Sequence, residues 1–157
     1  MSSDSPTGGP SWGLVLVRIV LGGLLLAAAW VKLSAGYDEN IVLGARERIA
    51  AAPELYRAFG EGVVLKHPWF FAHCIVFGEL LGGLALFLGA LTRPAGLLVA
   101  FQFANFAFAA PQEQTGFVSL IAVCALGCAI SRAGRKAGAD VFLDAKLPGW
   151  ITWTRAG

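Results

Sequence analysis

The chain has 157 residues, of which 57% are hydrophobic and only 14% charged, with a net charge of +2. A soluble domain carries about 25% charged residues, so this sequence lacks the side chains that a water-facing surface needs. The small, scattered net charge argues against a nucleic-acid-binding surface.

Residues 1–11 (MSSDSPTGGPS) are rich in Gly, Pro and Ser and predict a disordered tail. The first apolar run spans about 12–33. A cleaved signal peptide is a poor reading of it, because no Lys or Arg precedes Trp12 and Arg18 interrupts the run. Arg18, Gly22, Leu25, Ala29 and Lys32 recur at intervals of four and three, which puts them on one basic, small-residue-lined helix face. Lys32 stands at the far end, where it can snorkel to the interface. Arg18 lies about 9 Å inside the near end, so it either snorkels as well or pairs within the protein.

Residues 34–68 form a polar connection too long to be featureless. Asn40 is placed to cap a short helix through Ala51, with Ile41, Ala45 and Ile49 on one side and Arg46, Glu47 and Arg48 elsewhere. Pro53 opens a second short helix through Phe59, and Gly60 ends it. The expected result is an amphipathic cap on the membrane surface, folded over the spans. Gly60-Glu61-Gly62 lacks the third glycine and the βαβ context of a dinucleotide loop.

The second run, about 69–91, organises the rest of the chain. Its roughly 23 residues are long enough to cross a bilayer. Glu79 falls near the midplane, where a lone charge costs at least ~2.5–3.5 kcal/mol, so it must be paired, protonated or wetted. Gly78 and Gly82 make a GxxxG pair and Gly83 follows, which lets a neighbouring helix come close to the carboxylate.

Thr92-Arg93-Pro94 predicts a tight hairpin turn, making the third span, about 95–110, antiparallel to the second. The third span carries Gln102 and Asn105, either as interhelical glue or as part of a polar pocket with Glu79. Phe101, Phe103, Phe106 and Phe108 on this helix read as lipid-facing or packing residues.

A short turn over 111–116 leads to the fourth span, about 115–133, and a basic stop at Arg132, Arg135 and Lys136. Four spans place both termini on one side, and the positive-inside rule assigns that side to the cytoplasm. Residues 134–157 then form a cytoplasmic or interfacial tail, with Trp150 and Trp153 suited to the interface. The predicted fold is all-α: an integral membrane four-helix bundle with an amphipathic helical cap between helices 1 and 2.

Cofactor sites are poorly supplied. His67 and His73 both lie at the start of the second span and cannot clamp a haem from opposite helices. His73, Cys74 and Glu79 do not share a face, so no metal site is indicated. Cys74, Cys124 and Cys128 contain no CxxC pair for a thiol relay.

Taken together, Arg18…Gly22…Lys32-Leu33, then Gly78-Glu79-Leu80-Leu81-Gly82-Gly83…Gly89…Thr92-Arg93, and finally Gly138-Ala139-Asp140 resemble the DoxX family. Ala29 departs from the glycine usual before its Lys-Leu. The resemblance implies a small four-helix membrane protein, related to the small subunit of thiosulfate:quinone oxidoreductase and partnered with redox enzymes. It also implies structural roles for Gly22, Lys32, Gly78, Gly82, Gly83, Arg93 and Asp140.

Three functional readings stay open. In the first, Glu79 is a proton donor or acceptor in a quinone pocket shared with Arg18, Gln102 and Asn105. In the second, the chain is a non-catalytic subunit of a larger membrane complex, and an Arg18–Glu79 ion pair fixes helix register. The third is a small-molecule transporter, although no inverted repeat or broken helix pair is visible. The expected partners are membrane lipid and a soluble or membrane redox subunit, and small-residue faces leave self-association open.

Overall fold

A run dominated by Leu, Val, Ala and Gly between Trp12 and Ser34, with Arg18 and Lys32 its two charges, gives α1 (Trp12–Ser34), a 23-residue helix with no internal proline to break it. The computed structural model describes residues 12–34, 39–109, 112–131, 133–143, 146–148 and 151. After α1 come α2 (Glu39–Ala51), α3 (Glu54–Phe59) with a single π turn over Gly60–Val64, and α4 (Pro68–Leu88). Then follow α5 (Thr92–Ala109), α6 (Gln112–Ile130), α7 (Ala133–Lys136) and α8 (Asp140–Leu143). The described residues contain no strand.

Three helices, α1, α4 and α6, are long and apolar enough to cross a membrane. Helix α5 is not among them. It has only 18 residues and includes Arg93, Gln102 and Asn105, which dilute its apolar character. The expected turn at Thr92-Arg93-Pro94 is in fact the first turn of α5, where a proline is tolerated because the leading N–H groups have no intrahelical partner. The chain reverses earlier, at Gly89, which takes φ +67° as the left-handed residue closing α4. Ala90 N donates to Ala85 O at 2.9 Å and Gly89 N to Leu86 O at 3.2 Å, satisfying the last carbonyls of α4.

Helix α1 packs on α4, α4 on α5, α5 on α6, and α6 returns to α1. Leu21, Leu25, Leu86, Val99, Phe103, Ile121 and Ala125 fill the centre. Glycines set the spacing between helices. A Cβ on Gly22 would lie 2.5 Å from Phe87 N and 2.8 Å from Gly83 O, so α1 and α4 touch backbone to backbone. Gly78 and Gly82 serve the other side of α4: Gly78 abuts the Gln102 amide, and a Cβ on Gly82 would meet Val99 at 2.6 Å. The glycine cluster around Glu79 thus divides between two neighbours.

The outward surface is apolar. Trp12, Leu16, Trp30, Phe70, Phe101 and Ile130 are each more than 60% exposed, well beyond the apolar patch a water-soluble monomer tolerates. In the connection, Pro53 stands at the N-cap of α3, and Gly60 lies beneath Ile49, where a Cβ would be 2.5 Å from that side chain. The expected tail 1–11, residues 110–111, Arg132, Trp150 and Trp153 lie outside the described residues, and residues 112–116 of the expected turn already belong to α6.

Candidate functional site

The antiparallel register of α1 and α4 decides which charges meet. Arg18, near the start of α1, lies opposite the end of α4, and Lys32, near the end of α1, lies opposite Glu79. Arg18 and Glu79 therefore do not pair. Glu79 and Leu86 are seven positions apart on α4, about 10 Å of helix.

Arg18 is 1% exposed. Its Nη1 donates to Leu86 O at 2.6 Å and Phe87 O at 3.3 Å, and its Nη2 to Ala137 O at 2.7 Å. A cation at the negative end of a helix dipole is well placed, and it adds donors to the last carbonyls of α4, of which Leu86 O otherwise has only the 3.2 Å bond from Gly89 N. The segment that follows α6 completes the contact. Ala139 N donates to Leu88 O at 3.1 Å and Asp140 N to Gly89 O at 2.8 Å. The Asp140 carboxylate accepts from Leu91 N at 2.6 Å and Thr92 N at 3.1 Å, capping α5 from a distant part of the chain. It thereby holds Leu91 at φ +52°, a conformation uncommon for a non-glycine residue. Arg93 is half-buried in the first turn of α5. This end of the molecule is a tie between three helices and the segment after α6.

At the other end Glu79 is 2% exposed and receives Lys32 Nζ on both oxygens, at 2.7 and 2.5 Å. The Lys32 side chain is 30% exposed. The two residues form part of the wall of a cavity of about 620 Å³, within the size range of small-molecule sites. Residues of α1, α4, α5 and α6 line it, together with residues of α2, α3 and the π turn. Most of the lining is apolar, including Leu21, Leu25, Phe103, Phe106 and Ile121; the polar groups are Lys32, Glu79, Arg48, Tyr56 and Gln114.

Of the residues expected to form a pocket, Glu79 lines this cavity, and Arg18, Gln102 and Asn105 do not. Gln102 Nε2 donates to Ile75 O at 3.0 Å, joining α5 to α4. Asn105 Nδ2 turns back to Phe101 O of its own helix at 2.7 Å. Lys32, expected at the interface, is instead the partner of Glu79. Phe103 and Phe106 face the cavity, whereas Phe101 and Phe108 are 71% and 65% exposed.

Sequence reasoning missed Arg48, Tyr56 and Gln114. Arg48 was placed away from the apolar side of α2, yet it lines the cavity with Ala45 and Ile49. The available signal was spacing, since Arg48 follows Ala45 by three and precedes Ala52 by four. Arg48 Nη2 donates to Gln114 Oε1 at 3.5 Å, a long contact joining α2 to α6. Tyr56 stacks on Phe108 with centroids 6.4 Å apart, and burial pushes its hydroxyl above the usual tyrosine range, so it stays a proton-bearing donor. His73 Nδ1 donates to Trp69 O at 2.7 Å. Among the described residues, no group of three His, Cys, Asp or Glu side chains is placed to hold a metal ion.

A cavity with an apolar wall, one shielded ion pair and a few donors at one end suits a small ligand with a polar oxygen-bearing head. The profile of the DoxX family matches residues 13–112, from α1 to the first residue of α6, and the chain belongs to that family. No curated protein and no solved structure matches it.

Proposed function

We propose that this DoxX-family protein is a four-span membrane subunit of an oxidoreductase complex, and that its cavity receives the headgroup of a quinone. The carrying observation is the Lys32–Glu79 pair in the cavity wall. Lys32 uses two of its three donors on Glu79, and the third is free in chemistry to meet a quinone oxygen. Glu79, held behind Lys32, orients it and can exchange a proton with it as the headgroup gains or loses charge. Phe103 and Phe106, packed edge to face at 67°, supply apolar ring surface against which a headgroup can lie.

In this reading α5 is the fourth span, shielded by α4 and α6, which lets it carry Gln102 and Asn105. The α2–α3 segment lies on the membrane surface as a cap. Arg93, Arg135 and Lys136 gather at the end shared by the start of α1 and the segment after α6, and the positive-inside rule makes that end cytoplasmic. The cavity then opens toward the opposite leaflet.

The test is purification in mild detergent, followed by lipid extraction and mass spectrometry of bound partners. Co-purification of a quinone with a subunit carrying flavin, haem or an iron–sulfur cluster is expected, with quinone occupancy lost in Glu79→Gln. A colourless, quinone-free, self-associated chain would overturn the proposal. A scaffold reading draws on the same pair, since Lys32–Glu79 also fixes the register of α1 against α4. It predicts that Glu79→Gln lowers the recovery of the complex and leaves quinone content per complex unchanged.

A further inference from the structure

The charges facing the cavity do not cancel. Lys32, Arg48 and Glu79 line it, two cations against one carboxylate. Both Glu79 oxygens are engaged by Lys32, which leaves that pair neutral as a unit. Arg48 has a different situation. Its bond is a 3.5 Å contact to the uncharged amide of Gln114, and among the described side chains no carboxylate lies within ion-pair distance of it. Its sequence neighbour Glu47 and the Glu113 beside Gln114 are exposed and do not line the cavity. Tyr56 adds a second donor at the same end.

We infer that the site is selective for a head bearing a singly charged acidic oxygen on an apolar body, and that Arg48 is the residue that makes the selection. This inference rests on the reading of the cavity as a ligand site. A guanidinium with unused N–H donors prefers an oxyanion to a neutral carbonyl, because charge-assisted hydrogen bonds are roughly twice as strong. Arg48 is itself an exposed residue, so it offers those donors at the rim of the cavity, where a ligand head would pass from water toward the apolar wall. The same chemistry has two sources, a quinone ring carrying an acidic hydroxyl and a long-chain carboxylate.

The experiment uses the full chain in lipid nanodiscs and compares three probes by calorimetric titration. Lawsone is a hydroxynaphthoquinone that is an anion at neutral pH, menadione is an uncharged naphthoquinone, and dodecanoate is a carboxylate without a ring. The expected result is lawsone bound about tenfold more tightly than menadione, one charge-assisted hydrogen bond's worth of discrimination. Arg48→Gln brings the ratio close to one, and Arg48→Lys retains most of it. Displacement of lawsone by dodecanoate at equal concentration assigns the site to long-chain acids, and failure to displace it assigns the site to ring ligands. Equal affinities for lawsone and menadione in the unmodified protein would overturn the charge selection alone, as would a ratio that survives Arg48→Gln. Absence of binding by any probe would overturn the cavity reading beneath it.

Discussion

The two buried polar clusters of this protein lie at opposite ends of α1 and are built in opposite ways. Around Arg18 each charged group is spent on backbone: three guanidinium bonds go to carbonyls, and both Asp140 oxygens go to amides. Glycines at 89, 134 and 138 let the strands of this knot approach closely, and a Cβ on Gly138 would lie 2.6 Å from Gly134 O. Around Lys32 and Glu79 the charges are spent on each other, beside a cavity of about 620 Å³. A polar group tied to backbone holds a fold together, whereas a side-chain pair bordering open space is available to a ligand. Sequence position alone treats Arg18 and Lys32 as equivalent members of one helix face.

That contrast is open to direct tests. The largest effect is expected from Arg18→Met, which leaves the Ala137 carbonyl without its donor and the Leu86 carbonyl with only the 3.2 Å bond from Gly89 N. Losing bonds to a charged group and stranding an acceptor costs about 3 kcal/mol or more, measurable as reduced resistance to unfolding in detergent–SDS mixtures. A smaller loss would mean that the tie is not what holds α1 to the segment after α6.

Gly22→Ala comes next. Its methyl has no room beside Phe87 N, so α1 and α4 must separate, at a cost of about 1–3 kcal/mol in the same assay. Gly23, with nothing within 4 Å of its added Cβ, is the control, and Gly23→Ala is expected to be neutral or slightly stabilising. Asp140→Ala removes the cap of α5 and is expected to cost about 1 kcal/mol. Amide hydrogen exchange at Leu91 and Thr92 should accelerate in that variant.

The smallest effect on stability is expected at the open end. Replacing both partners, Lys32→Met with Glu79→Leu, removes a largely buried ion pair and substitutes apolar volume. Such exchanges are often neutral or stabilising, so unfolding should shift by less than about 1 kcal/mol while ligand binding is lost. A large destabilisation would make the pair a structural element like Arg18 and erase the distinction between the two ends.

Much of this was legible in the sequence, for identifiable reasons. Length and apolar composition exposed the helices α1, α4 and α6, because a hydrocarbon-crossing helix needs a continuous run that no other structure demands. The single carboxylate in the second apolar run, Glu79, and the glycines around it announced a close helix contact with a charge to satisfy. Pro53 and Gly60 punctuated the connection, although Gly60 begins a π turn rather than ending the helix outright.

Which charge meets which was decided only by the tertiary structure. Periodicity places Arg18 and Lys32 on one face of α1, but the partner of each follows from the register of α1 against α4, which the backbone contact of Gly22 with Gly83 and Phe87 fixes. The turn lies at Gly89 rather than at Thr92 because Asp140, 48 residues beyond Thr92, supplies the cap that allows α5 to start there. The cavity is also a product of assembly: Arg48, Tyr56 and Gln114 come from three helices and share no sequence motif. Composition and period act within a helix, and one dimension suffices to read them; register, long-range caps and cavities depend on contacts between segments far apart in the chain.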